Sequence, residues 1–390
     1  MSKAICLYLH VHQPFRVREY SIFETGKNHH YFGADNEEVF RKVAEKSYLP
    51  TNKLLLKLLS RYPEFKLSLS ISGTFIEQCE MWDMDVLKSF QKLVATGRVE
   101  IVAETYYHSL AFFYSRAEFV RQVAAHEEKI RDVFGVQPTA FRNTELSYND
   151  ALAEWADEAG YKAIIAEGWE GVLEWRSPNY IYRPAGTKNI RLLLKNYKLS
   201  DDLAFRFSDK NWSEYPLDSA KFNAWLDAEE APLINLFMDY ETFGEHQWAD
   251  SGIFELLENL PEKWLEIPEH SFATVSEAAD LDEPKDEIKC PETMTWADSE
   301  RDLTAWLGNK MQQETARILY SFEDKVLQSG DIDLIADWRK LTTSDHAYYI
   351  CTKYFNDGDV HSYFSPYNSP YDAFLFYANA LKDIYYRINK

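Results

Sequence analysis

The sequence predicts an α/β fold: a closed or nearly closed barrel of parallel strands, followed by a C-terminal helical region. Three observations predict it. Short apolar runs rich in β-formers alternate with amphipathic helical stretches from residue 4 to residue 275, and such alternation implies parallel pairing through right-handed crossovers. Polar residues cluster after the strands rather than before them, which is where parallel barrels keep their chemistry. After residue 292 the pattern is helical only. About seven or eight strand–helix units can be counted, which favours a barrel over an open doubly wound sheet.

Ala4–Val11 reads as the first strand and leads into His10-Val11-His12-Gln13-Pro14-Phe15. Thr51–Tyr62 has helical spacing (Leu54, Leu55, Leu58, Leu59) and stops at Pro63. Phe65–Ser72 is the second strand, closed by Gly73, and Asp83–Thr96 is a helix with Gly97 as its C-cap. Val99–Ala103 is a strand delivering Glu104 to His108, and Ser115–Phe134 is a long helix ended by Gly135. Pro138–Arg142 is a strand followed by Asn143, Thr144 and Glu145. The helix Asp150–Ala159, capped by Gly160, leads to the strand Lys162–Ala166 and then Glu167-Gly168-Trp169. Asn189–Lys195 is a further strand. Leu233–Met238, broken only by Asn235, is a strand buried on both faces that ends at Asp239. A short strand near Phe272–Val275 closes the series. The acidic stretch Ala278–Glu292, with two prolines, reads as a linker. Helical spacing resumes over Ala305–Ser329, Leu334–Phe355 and Ser369–Asn389. The expected domains are therefore 1–280 and 281–390.

With 390 residues the chain can bury a large core. Its net charge of −21 argues against nucleic acid or an anionic membrane as partner, since both require basic patches. The aromatic share of 15% serves either a large core or a lining for sugar rings, whose CH faces pack on aromatic rings. The four cysteines form no CxxC pair, and no secretory leader or membrane-length apolar run is visible. A cytoplasmic location is expected. Neither G-x-G-x-x-G nor a Walker A sequence occurs, so nucleotide binding has no local support.

Two carboxylates at strand ends, Glu145 and Asp239, are what glycoside hydrolysis needs: one donates a proton, the other attacks or activates water. Spacing alone leaves them two acids among 63. His10 and His12, two apart on a strand, point to the same side. That suits a metal-dependent hydrolase, and it equally suits hydrogen bonding to sugar hydroxyls. A glucan-binding protein without turnover is a further reading.

The segments HVHQPF (His10–Phe15), GRVEIVAETYYHSL (Gly97–Leu110), FRNTEL (Phe141–Leu146), FMDYETFGEHQ (Phe237–Gln247) and the tail from Trp296 through TSDHAYY resemble the five ordered sequence regions of glycoside hydrolase family 57. The resemblance is nearest to the α-amylase branch. It implies an incomplete TIM-like (β/α)7 barrel followed by a helical domain that helps close the cleft. It implies retaining action on α-glucans or maltooligosaccharides, and neither cofactor nor obligatory metal. By it Glu145 matches the nucleophile and Asp239 the general acid/base. His12 and His108 match substrate-lining positions, and Trp306, Asp345 and His346 fall in the cleft-closing tail. His10, Gln13, Trp169, Glu241 and His246 complete the expected substrate-binding set. A retaining mechanism places the two carboxyls roughly 5 Å apart and requires a raised pKa at Asp239. The resemblance leaves 4-α-glucanotransferase open beside hydrolysis.

Overall fold

A computed structural model describes residues 2–353 and 364–390. Seven parallel strands form the barrel: β1 (Lys3–Val11), β2 (Leu67–Ile71), β3 (Val99–Ile101), β4 (Ala140–Arg142), β5 (Ala163–Glu167), β6 (Arg191–Lys195) and β7 (Leu233–Asp239). One sheet runs β3-β2-β1-β7 and the other β4-β5-β6. Backbone bonds bridge both seams. Beyond β3, Ala103 N donates to Ala140 O and Arg142 N to Ala103 O, both at 2.9 Å. Across the other seam Asn196 N donates to Asn235 O, and Asn235 Nδ2 to Leu194 O, again at 2.9 Å. The circuit is therefore seven-stranded. The short strand His270–Phe272 pairs with the foot of β1 instead of joining it. It begins two residues before its expected start and ends at Phe272, because Thr274 and Glu277 form a capping box that begins a helical turn at Val275.

The two-residue period of a strand decides which side chains meet inside. On β1, Ala4, Cys6 and Tyr8 belong to the cluster filling the barrel, while Ile5, Leu7, Leu9 and Val11 pack outward against helices. His10 and His12 are the next inward positions. On β7, Leu233 and Phe237 point in and Ile234, Leu236 and Met238 point out, so Asp239 is again inward. The same parity carries Ala140 to Arg142, Val102 to Glu104, and Ile165 to Glu167. The apolar plug occupies the lower barrel, and charged or polar side chains take the rungs above it.

The expected helix Ala305–Ser329 breaks into Thr304–Leu307, Lys310–Ser321 and Glu323–Ser329. Asn309 forms a capping box with Gln312 and restarts the chain. Leu334–Phe355 becomes Ile332–Leu341 and Ser344–Tyr348, with its last two residues outside the described ones; Ser369–Asn389 becomes Pro370–Arg387. These helices share a core with Val17, Tyr20 and Tyr31 of the segment after β1. Buried Asp383 fastens that segment, accepting from Gly26 N at 2.6 Å and Tyr31 OH at 2.5 Å. The acidic stretch is likewise tied down: Glu287–Ile288 pairs with Arg183–Pro184, and Ile288 and Cys290 are buried. Among the described residues no helix is long and apolar enough to cross a membrane.

Candidate active site

A cavity of about 410 Å³ opens at the C-terminal ends of the strands. Glu145, Asp239, His10, His12, Gln13, His108, Glu241, His246, Trp306 and Asp345 all line it. Two residues of the expected set do not. Trp169 packs half-buried into the cluster behind β5 and accepts, through its carbonyl, from Val172 N of the next helical turn. His346 is buried, bonds Lys340 O at 3.2 Å and stacks on Tyr377. Neighbouring helix positions differ by about 100°. Asp345 therefore faces the cleft while His346 enters the helical core.

Glu145 sits in a left-handed backbone conformation (φ 61°), as do Leu146 (φ 48°) and His108 (φ 50°). Of the six non-glycine residues with positive φ among the described residues, four line this cavity: His108, Glu145, Asp298 and Arg301. Strain of about 1–3 kcal/mol per such residue persists only where the surroundings hold it, typically at functional sites. Here the surroundings are specific. Glu145 Oε1 accepts from Ser344 Oγ at 2.9 Å and faces His108 Nε2 at 3.1 Å. Its Oε2 accepts from Trp296 Nε1 at 3.0 Å. Burial pushes this carboxyl up, but the His108 contact and charge and the Trp296 bond outweigh it and leave the pKa below the usual value.

Asp239 is one-third exposed (35%) and lies 3.6 Å from His10 Nδ1. The sequence expectation of a raised pKa fails here. Burial does raise it, but His10, His246 and Arg142 together hold the carboxyl below its ordinary value. The raised carboxyl is Glu241, two residues on. Burial and the Asp239 charge lift it to about 8, against the bond donated by Tyr48 OH. The resting site thus keeps a neutral carboxyl beside two ionised ones.

The three histidines form a stack, with His12–His108 centroids 4.2 Å apart and His10–His108 4.8 Å. His108 is raised to about 9; burial opposes this, and hydrogen bonds to Glu104 and Glu145 overcome it. His12 goes the other way, to about 4, chiefly by burial and the nearby His108. It bonds Ser72 Oγ at 2.7 Å and Asp345 Oδ2 at 3.0 Å, joining β1 to the C-terminal helices. Among the described residues two groups are close enough for a cation: His10, Glu104 and His108, and His12, His108 and Asp345. In the first, Arg142 Nη1 already lies 3.2 Å from His10, 3.4 Å from Glu104 and 3.3 Å from His108, where an ion would sit. In the second, His108 is held near 9, against burial, by its hydrogen bonds to Glu104 and Glu145, so a cation would have to displace a proton.

Sequence reasoning missed Glu104, Arg142, Trp296 and Ser344 as parts of the site. A charged residue at an inward position above an apolar strand was the available signal for the first two. The Trp296 ring lies between two cations, 5.6 Å from Arg142 and 5.7 Å from Lys195, and forms a wall of the cleft.

A family model described as Glycosyl hydrolase family 57 matches residues 6–291. A Methanocaldococcus jannaschii protein named "Putative alpha-amylase" is 44% identical over 398 residues, covering 97% of this chain and 84% of its own length. An α-amylase of Pyrococcus horikoshii is 23% identical over 226 residues, covering 53% of this chain and 35% of itself. The chain thus spans only a minor part of that longer relative. In fold, it is similar to a GH57-type branching enzyme from Pyrococcus horikoshii (TM-score 0.70, 16% identity, 93% of this chain, 87% of that one). It is also similar to 4-α-glucanotransferase from Thermococcus litoralis (TM-score 0.60, 17% identity, 90% and 52%). These solved structures carry the incomplete barrel that the seven-strand circuit describes. The family match and the 44% identity together make the chain a member of glycosyl hydrolase family 57, and thereby a glycoside hydrolase.

Proposed function

We propose that the protein cleaves α-1,4-glucosidic bonds of α-glucans with retention of configuration, in the manner of an α-amylase. The observation that carries this reading is that Glu145 and Asp239, 94 residues apart in sequence, line one cavity whose walls hold both aromatic rings and hydrogen-bonding groups. Glu145, held ionised by His108 and Trp296, attacks C1 while Asp239 gives its proton to the departing glycosidic oxygen. The C1–O bond breaks and a Glu145 ester forms with inversion. Asp239 then takes a proton from water, whose oxygen displaces Glu145 with a second inversion. Asp239 acquires its proton on substrate binding. A sugar ring removes the water that reaches its exposed third, and desolvation raises a carboxyl pKa. His10, His12, Gln13, His108, Glu241, His246, Trp306 and Asp345 serve as substrate contacts in this reading.

Glu145→Gln should lower turnover of maltoheptaose by roughly 10⁴- to 10⁶-fold while leaving oligosaccharide affinity intact. Activity within tenfold of the parent removes Glu145 from the nucleophile role. Transfer to a sugar hydroxyl instead of water is the second reading, favoured by the glucanotransferase among the relatives. Products longer than maltoheptaose would establish it. The four cysteines are free and buried, which suits a reducing compartment, and we assign the reaction to the cytoplasm.

A further inference from the structure

Glu104 lies outside the reaction as written above, yet it stands between both reacting acids. Its side chain is completely buried, one inward rung above Val102. Three nitrogens converge on one of its oxygens, Oε2: His10 Nε2 at 3.3 Å, His108 Nδ1 at 3.2 Å and Arg142 Nη1 at 3.4 Å. The remaining ring nitrogen of each histidine faces one reacting acid. His108 Nε2 is 3.1 Å from Glu145, and His10 Nδ1 is 3.6 Å from Asp239. The result is a string of contacts, Glu145, His108, Glu104, His10, Asp239, whose last link, at 3.6 Å, is an ion-pair distance just beyond hydrogen-bond length.

We propose that Glu104 is a positioning residue that fixes the tautomer and orientation of His108 and His10, and thereby couples Glu145 and Asp239 into one proton-sharing unit. This rests on the assignment of those two acids given above. The reasoning is geometric. An ionised carboxylate only accepts hydrogen bonds, so Glu104 draws an N–H from each imidazole; Arg142 Nη1, 3.2 Å from His10 Nε2 and 3.3 Å from His108 Nδ1, is itself only a donor and in this arrangement bonds Glu104 instead of the rings. His108 has carboxylates at both nitrogens and so carries two protons. His10 with its proton on Nε2 leaves Nδ1 to exchange one with Asp239. Closing the 3.6 Å gap to hydrogen-bond length lets Nδ1 and the Asp239 carboxylate exchange a proton in either direction. Arg142 balances the Glu104 charge. Among the described residues, the other titratable groups facing the string are Tyr8 from β1 and His12 just after it, His126 from the helix Arg116–Phe134, Glu241 and His246 beyond β7, and Asp345 and Tyr348 from the C-terminal helices.

Glu104→Gln keeps the size and removes the charge that orders the two rings. The expected result is a kcat lower by about 10²- to 10⁴-fold with KM near the parent value. The alkaline limb of kcat/KM should also move down by about one to three pH units, since His108 loses an adjacent anion. Glu104→Asp, which keeps the charge, should return the limb toward its original position. An unchanged alkaline limb in a folded Glu104→Gln protein overturns the proposal, because a purely structural counter-ion for Arg142 would alter stability alone. ¹⁵N-histidine NMR of the unmodified protein decides independently of whether the variants fold. A His108 ring protonated on both nitrogens at pH 7 is expected, and a neutral ring overturns the proposal. An active Glu145→Gln variant would instead withdraw the nucleophile assignment while leaving this NMR signature in place, so the two failures are distinguishable.

Discussion

Single residues in this cleft are set against one another by burial and by a few short contacts. Glu241 is the clearest instance. Its carboxyl is lifted to about 8 by burial and by Asp239, so it is neutral at pH 7 and a glutamine is its nearest mimic. As pH rises through 8 the native protein acquires a second anion beside Asp239 and close to the sugar hydroxyls. Glu241→Gln, made in the inactive Glu145→Gln background, should therefore bind maltoheptaose like its parent at pH 6. It should escape the weakening the parent shows above pH 8. Calorimetric affinities at pH 6 and pH 9 check this; parallel pH dependence in the two proteins would refute the neutral assignment. At this scale the sequence was legible where strand parity applied. His10, His12 and Asp239 follow from counting by two along β1 and β7. Trp169 was not legible, because residues after a strand leave its parity. His346 was misread because adjacency in a motif is not adjacency on a helix surface. Ser344 and Trp296 reach Glu145 from 199 and 151 residues away, and no local pattern announces such contacts.

Elements place these residues, and the turn after β7 shows at what structural cost. Gly244 has φ 107°, and a Cβ there would lie 2.0 Å from Lys46 O. Both backbone conformation and space forbid a side chain. Gly97 shares a left-handed φ of 72° but has nothing within 4 Å of the same ideal Cβ. The pair separates strain from collision. Gly97→Ala should cost about 1–2 kcal/mol, the price of left-handed backbone for an L-residue. Gly244→Ala should cost more, about 3 kcal/mol or above once a backbone clash must be relieved, and it should depress kcat by shifting Asp239, Glu241 and His246 together. Urea denaturation of both variants tests the ordering; equal losses would mean the loop yields freely. The barrel strands were legible because each is a short apolar run with a polar end. Among the described residues, four helices of nine or more residues were not: Asp35–Val43, Gly73–Trp82, Ser219–Ala228 and Ile253–Trp264. Gly73 opens the second of these and Pro261 lies inside the last, so local propensity speaks against both. Packing against the barrel overrides it. The C-terminal helices read as too long because amphipathic spacing continues across the Asn309 cap, where only the side-chain bond to Gln312 marks the break.

At the scale of the whole molecule, the buried titratable groups bound stability from both sides of neutrality. Burial depresses His12 and His346 to about 4, and His126, His246 and His270 are lowered as well. Between pH 4 and about 6.5 the unfolded chain binds these protons and the native one does not, so stability rises with pH. Above 6.5 the sign reverses. His108, raised to about 9, keeps a proton that the unfolded chain has released, and stability falls as pH climbs toward 9. Glu241 acts in that same direction from about pH 4.3 to 8, since its native pKa stands near 8. Below neutrality the five lowered histidines act together against Glu241; above it the raised groups act unopposed by them. The melting temperature should therefore pass through a maximum near pH 6.5 and decline on both sides. Glu241→Gln should flatten the alkaline decline without removing it, because His108 still titrates. His108→Gln should flatten it as well, and should also weaken the hold on the strained Glu145 backbone, lowering the melting temperature at every pH. Calorimetric scans from pH 4 to 9 on the three proteins test the scheme. A melting temperature that keeps rising from pH 6.5 to 9 would mean that the charge trapped between Glu104 and Glu145 is not there.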